Sequence, residues 1–456
     1  MTPGPSRRLA PAIALLLAGL AAAAAPAAAA PRMLPDSTWA ESWQLSNGLR
    51  VVTLDIPRAS AVAITVGYPF GGDADPPGRP GLAQLMAEVE MMGPAGDVPE
   101  RNRTEMESLR PLGWSLKVNP RSTQLSELAT PEQFPGALRQ VAQRLRGVSV
   151  PEDVLKTALA SVHRDRGQDF LGPLDQALYY QVRAYAAGAD PSGVVGLAAA
   201  KPLDAVSARE LEERIHATFV PAGAVLALAG NLGGLNLHAL VDGLFSAIPA
   251  GTPPALPKPP AFHPSLHTVE RADVDRPIGT IAVQAPALTD SLHPQFFLCM
   301  LIVGEWCHQS WPVSRQVSTR FRYSILDEPD LVRFVPDTER DSTQARVLRG
   351  ELMGSLADLL GLAIMNAEYD RYRTSVIWLL GGAMTPRLLA QVRTDGPSLN
   401  NVCSGLAARE LTGGEAFWSR YRARFLDRRE PGLSAWSRYL VQPEHQVGLL
   451  FTPHVK

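Results

Sequence analysis

The chain has 456 residues, more than one ordinary core accommodates, so two or three domains are expected. Its net charge of −2 and pI near 6.5 supply no basic field, which excludes nucleic acid as the expected partner. With 46% hydrophobic and 19% charged residues the chain can bury a sizeable core, and wholesale disorder is excluded as well.

The first segment, "MTPGPSRRLAPAIALLLAGLAAAAAPAAAAPRM", starts with Arg7 and Arg8, continues as an apolar run and ends in small residues with A-x-A options near Ala30. That is the pattern of a cleavable signal peptide over 1–30. No charge interrupts 9–30, so a retained membrane anchor is the other reading; the break at Pro26 and the small-residue end favour cleavage. No cysteine follows for lipid attachment, and past residue 33 no apolar stretch approaches the ~20 residues of a membrane span. The mature chain is expected to be exported, periplasmic and without a membrane span.

Two strands come next, "LRVVTLDI" (49–56) and "AVAITVGYPFGG" (61–72), both rich in β-branched residues and the second ended by Gly71 and Gly72. A helix follows over "PGLAQLMAEVEMMGP" (80–94). Leu82, Leu85, Met86 and Val89 recur at i, i+3, i+4 and i+7 as a core stripe, which leaves Gln84, Ala87 and Glu88 together on the other side. "RNRTEMESLR" (101–110) reads as a solvated face, and "EDVLKTALASVHRDRGQDF" (152–170) as a helix. "SARELEERIHATF" (207–219) is a helix opened by a capping box of Ser207 and Glu210, with Leu211, Ile215 and Phe219 on one face.

A proline-rich stretch over 249–264 can neither continue a helix nor pair as a central strand, so a linker is placed at 251–264. The expected domains are then 31–250 and 265–456. Beyond it, "IGTIAVQAPAL" (278–288) and "RFRYSILDE" (320–328) read as strands and 350–384 as long helices. The halves echo each other: Pro221 and Pro443 each stand four residues before a valine, Val225 and Val447, that opens an apolar strand. Strands and helices without βαβ alternation or a glycine-rich nucleotide loop imply an α+β fold. Cys299, Cys307 and Cys403 lack zinc-site spacing and read as buried small hydrophobes. His263 and His267 are four apart, but in the linker region, where no helix would aim them together.

Taken in order, these pieces resemble the pitrilysin/insulinase family of inverted zinc metallopeptidases. "LSNGLRVV" (45–52) is similar to that family's opening strand, and 66–94 to its glycine-ended strand, acidic turn and H-x-x-E-H helix. "FVPAGAVLALAGNL" (219–232) and the stretch from Gly304 to "RYSI" (322–325) match further family segments. The resemblance implies two homologous α+β domains, each a mostly antiparallel sheet packed with helices, closing as a clamshell on extended peptide. It also implies zinc held by the two histidines and a downstream glutamate, with the motif glutamate as general base.

The working positions are altered here. Aligned on Gly81 and Gly93, they become Gln84, Ala87 and Glu88. An amide is a poor zinc ligand, one carboxylate is not a site, and Ala87 cannot take a proton from water. The downstream glutamate falls around Ala160 and Ser161; His163 and Asp165 lie nearby and could join Glu88 in a cryptic site, but read more simply as surface residues of a helix. No metal, cofactor or catalytic residue is therefore expected. On the substrate side the resemblance offers Tyr323, and Arg315 beside the position of the family arginine; Tyr323 also reads as a half-buried strand residue sharing a face with Phe321 and Ile325. The expectation is an inactive homologue that pairs with a zinc-bearing family member as a heterodimer and binds extended peptide. A peptide-binding or scaffold protein without a peptidase partner is the alternative.

Overall fold

In a computed structural model of the chain, the described residues are 40–76, 78–101, 104–105, 108, 114–171, 174–189, 203–255, 261–275, 277–300, 318–337, 394–425, 436, 439–440 and 442–453. The helices expected over 350–384, together with Gly304, Cys307 and Arg315, lie outside them. In chain order come β1 (Ala40–Gln44), β2 (Arg50–Asp55), β3 (Val62–Tyr68), α1 (Leu82–Met92), β4 (Ser115–Val118) and β5 (Thr123–Ala129). There follow α2 (Phe134–Arg146), α3 (Glu152–Leu171), α4 (Leu174–Ala186), α5 (Ala208–Thr218), β6 (Val225–Gly230) and α6 (Leu237–Phe245). The remainder supplies β7 (Ser265–Arg271), β8 (Ile278–Gln284), β9 (Ser318–Ser324), β10 (Glu328–Asp337), α7 (Gly396–Leu411), α8 (Gly414–Phe425) and β11 (Gln446–Pro453).

The strands form two sheets, ordered β1-β2-β6-β3-β5-β4 and β7-β11-β8-β10-β9. Without β1, the first order is the second one repeated. In each sheet one pair is parallel, β2 with β6 and β7 with β11, and the rest are antiparallel. The echoed valines hold equivalent places: Val225 pairs with Arg50 at the start of one parallel ladder, and Val447 with Ser265 at the start of the other. The fold is α+β with two mixed, mostly antiparallel sheets.

Both sheets are covered on both faces, which explains why β3 and β6 are buried at every position rather than at alternate ones. On the first sheet, Val62, Ile64, Val66 and Tyr68 face the core built with α1, α2 and α3, while Ala63 faces α7. Small residues make that second contact close: a Cβ on Gly67 would lie 3.0 Å from Leu411 Cδ1, and Cys403 Sγ sits 3.1 Å from the Ala227 carbonyl. On the second sheet, Leu178 and Val182 of α4 pack with Leu331, Val447 and Phe451. Helices are thus exchanged. α4, from the first part of the sequence, covers the second sheet, and α7, from the last part, covers the first.

Local chemistry mostly follows the sequence. Ser207 Oγ accepts from Glu210 N at 3.2 Å to cap α5, but only half of the capping box forms, because the Glu210 carboxylate is taken by Arg79 and Arg214. The solvated face expected at 101–110 is corrected at Arg101, whose guanidinium is largely buried and pairs with Glu127 at 2.8 Å. His267 stacks on Tyr185 and the His263 amide donates to Ala186 O, so this pair packs on the end of α4. Cys299 and Cys403 are buried thiols.

Candidate functional site

Helix α1, which carries Gln84, Ala87 and Glu88, is fixed at both ends. Gly81 precedes it at φ +89°, a left-handed conformation that favours glycine. The carboxylate of Asp75, in the acidic turn, accepts from the Gly81 and Ala83 amides, the latter at 2.7 Å. At the other end Arg144 Nη1 donates to the carbonyls of Glu90 and Gly93, at 3.0 and 2.8 Å. An acid at the N-terminus and a base at the C-terminus satisfy otherwise orphaned backbone groups and complement the helix dipole.

The body of α1 departs from the amphipathic expectation. Its far side is not open: Ala87 is 0% and Glu88 4% exposed, and Gln84 is half-buried. α3 lies across that side. Ser161 Oγ donates to Glu88 Oε1 at 3.1 Å, and Gln84 Nε2 approaches Asp165 Oδ2 at 3.5 Å. Residues 161 and 165 are about one helical turn apart and so share a face of α3. The structure therefore brings Gln84 and Glu88 against the part of α3 where the resemblance places its third zinc ligand. His163 is directed elsewhere, its Nε2 lying 2.6 Å from Asp204 Oδ1, so Glu88, His163 and Asp165 do not assemble as one site. Among the described residues no three His, Cys, Asp or Glu side chains are grouped to hold a metal ion.

This donor set does not fit zinc. Glu88 spends an oxygen on Ser161, Gln84 presents an amide and Ala87 presents a methyl, and among the described residues no cluster of His, Cys, Asp or Glu completes a metal site here.

A second carboxyl on α1 was not singled out by sequence. Glu90 is 1% exposed, its Oε2 has no hydrogen-bond partner, and burial pushes its pKa up to about 8 despite the charge of Arg144. Burial in turn lowers Arg144 to about 10. A cleft of about 660 Å³ opens at the C-terminal end of α1, lined by Met92, Glu100, Arg101, Glu105, Asp153 and Thr157; no motif residue lines it.

Tyr323 is placed on β9 with its ring against Phe296 and Phe297. Its hydroxyl lies 2.9 Å from His293 Nε2 and 3.3 Å from Pro329 O, and His293 Nδ1 meets the Tyr421 hydroxyl at 2.6 Å. His293 is fully buried, and desolvation lowers its pKa to about 4, so the ring is neutral and joins the two phenols as donor to one and acceptor from the other. Nothing in the spacing of residues 293, 323 and 421 announces that chain.

No protein-family model matches the sequence, and no curated protein does. The fold is nevertheless shared with solved structures. A protease from Helicobacter pylori superposes with TM-score 0.71 at 13% identity, covering 91% of this chain and 99% of that one. The periplasmic protease PqqL from Escherichia coli gives TM-score 0.66 at 12% identity, covering 92% of this chain and 48% of that one, so the chain spans about half of PqqL. A peptidase M16 inactive domain from Pseudomonas fluorescens gives TM-score 0.61 at 16% identity, covering 91% of this chain and 98% of that one. With its two sheets of repeated order and α1 held against α3, the chain has the α+β fold of the M16 peptidases.

Proposed function

We propose that the chain is a non-catalytic subunit of an exported heterodimeric zinc metallopeptidase, completing the peptide-binding chamber for a zinc-bearing partner chain. The observation that supports this reading is the buried contact of Glu88 with Ser161 beside Ala87, in the part of the framework where the resemblance implies metal ligands and a general base. The length relation supports the pairing: PqqL, a periplasmic protease, is about twice as long as the segment that matches this chain. The pattern over 1–30 and the periplasmic neighbour support export. In this proposal 31–250 and 265–456 are the two peptidase-like domains, joined by 251–264.

Extended peptide would add to β4, an edge strand of the first sheet, through main-chain hydrogen bonds. Of the residues the resemblance offers for gripping substrate, Arg315 lies outside the described residues and Tyr323 has its hydroxyl held by His293. Affinity in this proposal therefore rests on the strand edge.

The test is reconstitution. The purified chain is expected to carry no stoichiometric zinc and to cleave no peptide alone, with cleavage appearing when an H-x-x-E-H-bearing relative from the same organism is added. Chelator-sensitive cleavage by the pure chain overturns the proposal. Capture of the native protein without any such companion favours the scaffold reading instead.

A further inference from the structure

Three turns meet beside the N-terminus of α1. The acidic turn at 71–75 is bonded to the β4–β5 turn, with the Gly72 amide donating to Asn119 O at 3.0 Å and the Asp73 amide to Pro120 O at 2.8 Å. The contact leaves no room for a side chain: a Cβ on Gly71 would fall 1.9 Å from Asn119 O. The third turn is the β9–β10 turn of the second sheet. Ser324 Oγ accepts from the Asp327 amide and donates to Asp327 Oδ2, which holds that carboxylate in place. Asp327 then reaches across the seam to Lys117 Nζ at 2.8 Å and to Asn119 Nδ2 at 3.2 Å. Because β4 and β5 hold the places in the first sheet that β9 and β10 hold in the second, equivalent hairpin turns of the two sheets meet here.

Arg183 stands over this junction. It projects from α4 and is largely buried. Nη1 donates to Glu328 Oε1 at 2.9 Å and to Asp330 Oδ1 at 3.3 Å, and Nη2 donates to both oxygens of Asp73 at 3.4 Å. One guanidinium thus joins a carboxylate of the turn that caps α1 to two carboxylates of β10. The planar fork of arginine suits this task, since it can serve three carboxylates from fixed directions. Without it, Asp73, Glu328 and Asp330 would lose the cation they share, and their mutual repulsion would be relieved less well.

We propose that Arg183 is the keystone of an electrostatic latch that holds these three turns together, and that releasing it, rather than bending the chain between the sheets, is how the end of edge strand β4 is uncovered. Bending at 251–264 would have to strip α4 from the second sheet or α7 from the first, exposing Leu178, Val182, Cys403 and Ala407, all 0% exposed now. Parting the turns breaks the polar contacts described above, each of which water can replace. Lys117 and Asn119 stand at the end of β4 itself, so the latch governs access to that edge. The latch is independent of the partner-subunit reading and operates with or without a peptidase partner.

Hydrogen exchange on the full chain tests it. Arg183→Met is expected to raise exchange at least tenfold in segments 68–76, 115–124 and 320–332 together, while α2 and β6 keep wild-type protection. Arg183→Lys, which keeps a point charge but not the fork, is expected to restore part of the protection. Wild-type exchange in all three segments, or a change confined to α4, overturns the proposal. Should Arg183→Met not fold, Asp330→Asn at the 40% exposed rim of the cluster is read in the same way, with a smaller rise expected in the three segments and no rise overturning the latch.

Discussion

Ser161 Oγ lies 3.1 Å from Glu88 Oε1 and donates a hydrogen bond to it. The two residues are 73 apart in sequence and on different helices; Glu88 stands at a motif position, and Ser161 in the stretch around Ala160 and Ser161 where the resemblance implies the third zinc ligand. A neutral hydroxyl and a carboxylate here hold α1 to α3, the packing task that a bound metal would otherwise share.

Removing that hydroxyl leaves a buried carboxylate short of a donor. Ser161→Ala is expected to lower stability by about 1–3 kcal/mol, read as a shifted urea midpoint. Gln84→Ala, at a half-buried position with a long 3.5 Å contact, is expected to cost less than about 0.5 kcal/mol.

Because the backbone already gathers these positions, replacing their side chains should rebuild a metal site. The triple variant Gln84→His, Glu88→His, Ser161→Glu is expected to bind about one zinc per chain, measured by metal analysis after dialysis, with ligands of the type zinc prefers. Absence of bound zinc in a folded triple variant would show that the three positions do not converge on one point.

Glu90 makes stability fall with pH. Its folded-state pKa is raised to about 8 from an ordinary 4.5, so between these values the unfolded chain has released a proton that the folded chain keeps. Stability from this group is complete below about pH 4.5, declines as pH rises and is lost above about pH 8, by on the order of a few kcal/mol. Glu90→Gln is expected to flatten that part of the profile in urea titrations from acid to mildly alkaline pH.

Tyr323→Phe separates a structural hydroxyl from a substrate contact. Loss of the bond to His293 is expected to lower stability by about 1–2 kcal/mol with peptide affinity unchanged. Weakened peptide binding at unchanged stability would return Tyr323 to the role the resemblance implies.

Several features were legible in the residues because they depend on near neighbours. The β-branched runs became β2, β3 and β8, the i, i+3, i+4 pattern became α1, and Ser207 caps α5 as its spacing suggests. The paired prolines and valines marked equivalent strands before either sheet was visible. The identity of residues 84, 87 and 88 carries the expectation that zinc ligation and general-base chemistry are lost, since side-chain type decides both.

Other features required the third dimension. That Ser161 meets Glu88, that Asp75 caps a helix six and eight residues away, and that Arg183 gathers Asp73, Glu328 and Asp330 all depend on which surfaces meet after packing. The exchange of α4 and α7 between sheets is of the same kind, since a buried apolar helix face does not state which sheet will cover it. From its sequence the chain could be read as an α+β peptidase framework with its catalytic groups replaced. Only tertiary structure decided how the replacements are satisfied and how the two sheets are locked, because hydrogen-bond partners and like-charge relief are set by distance in space rather than along the chain.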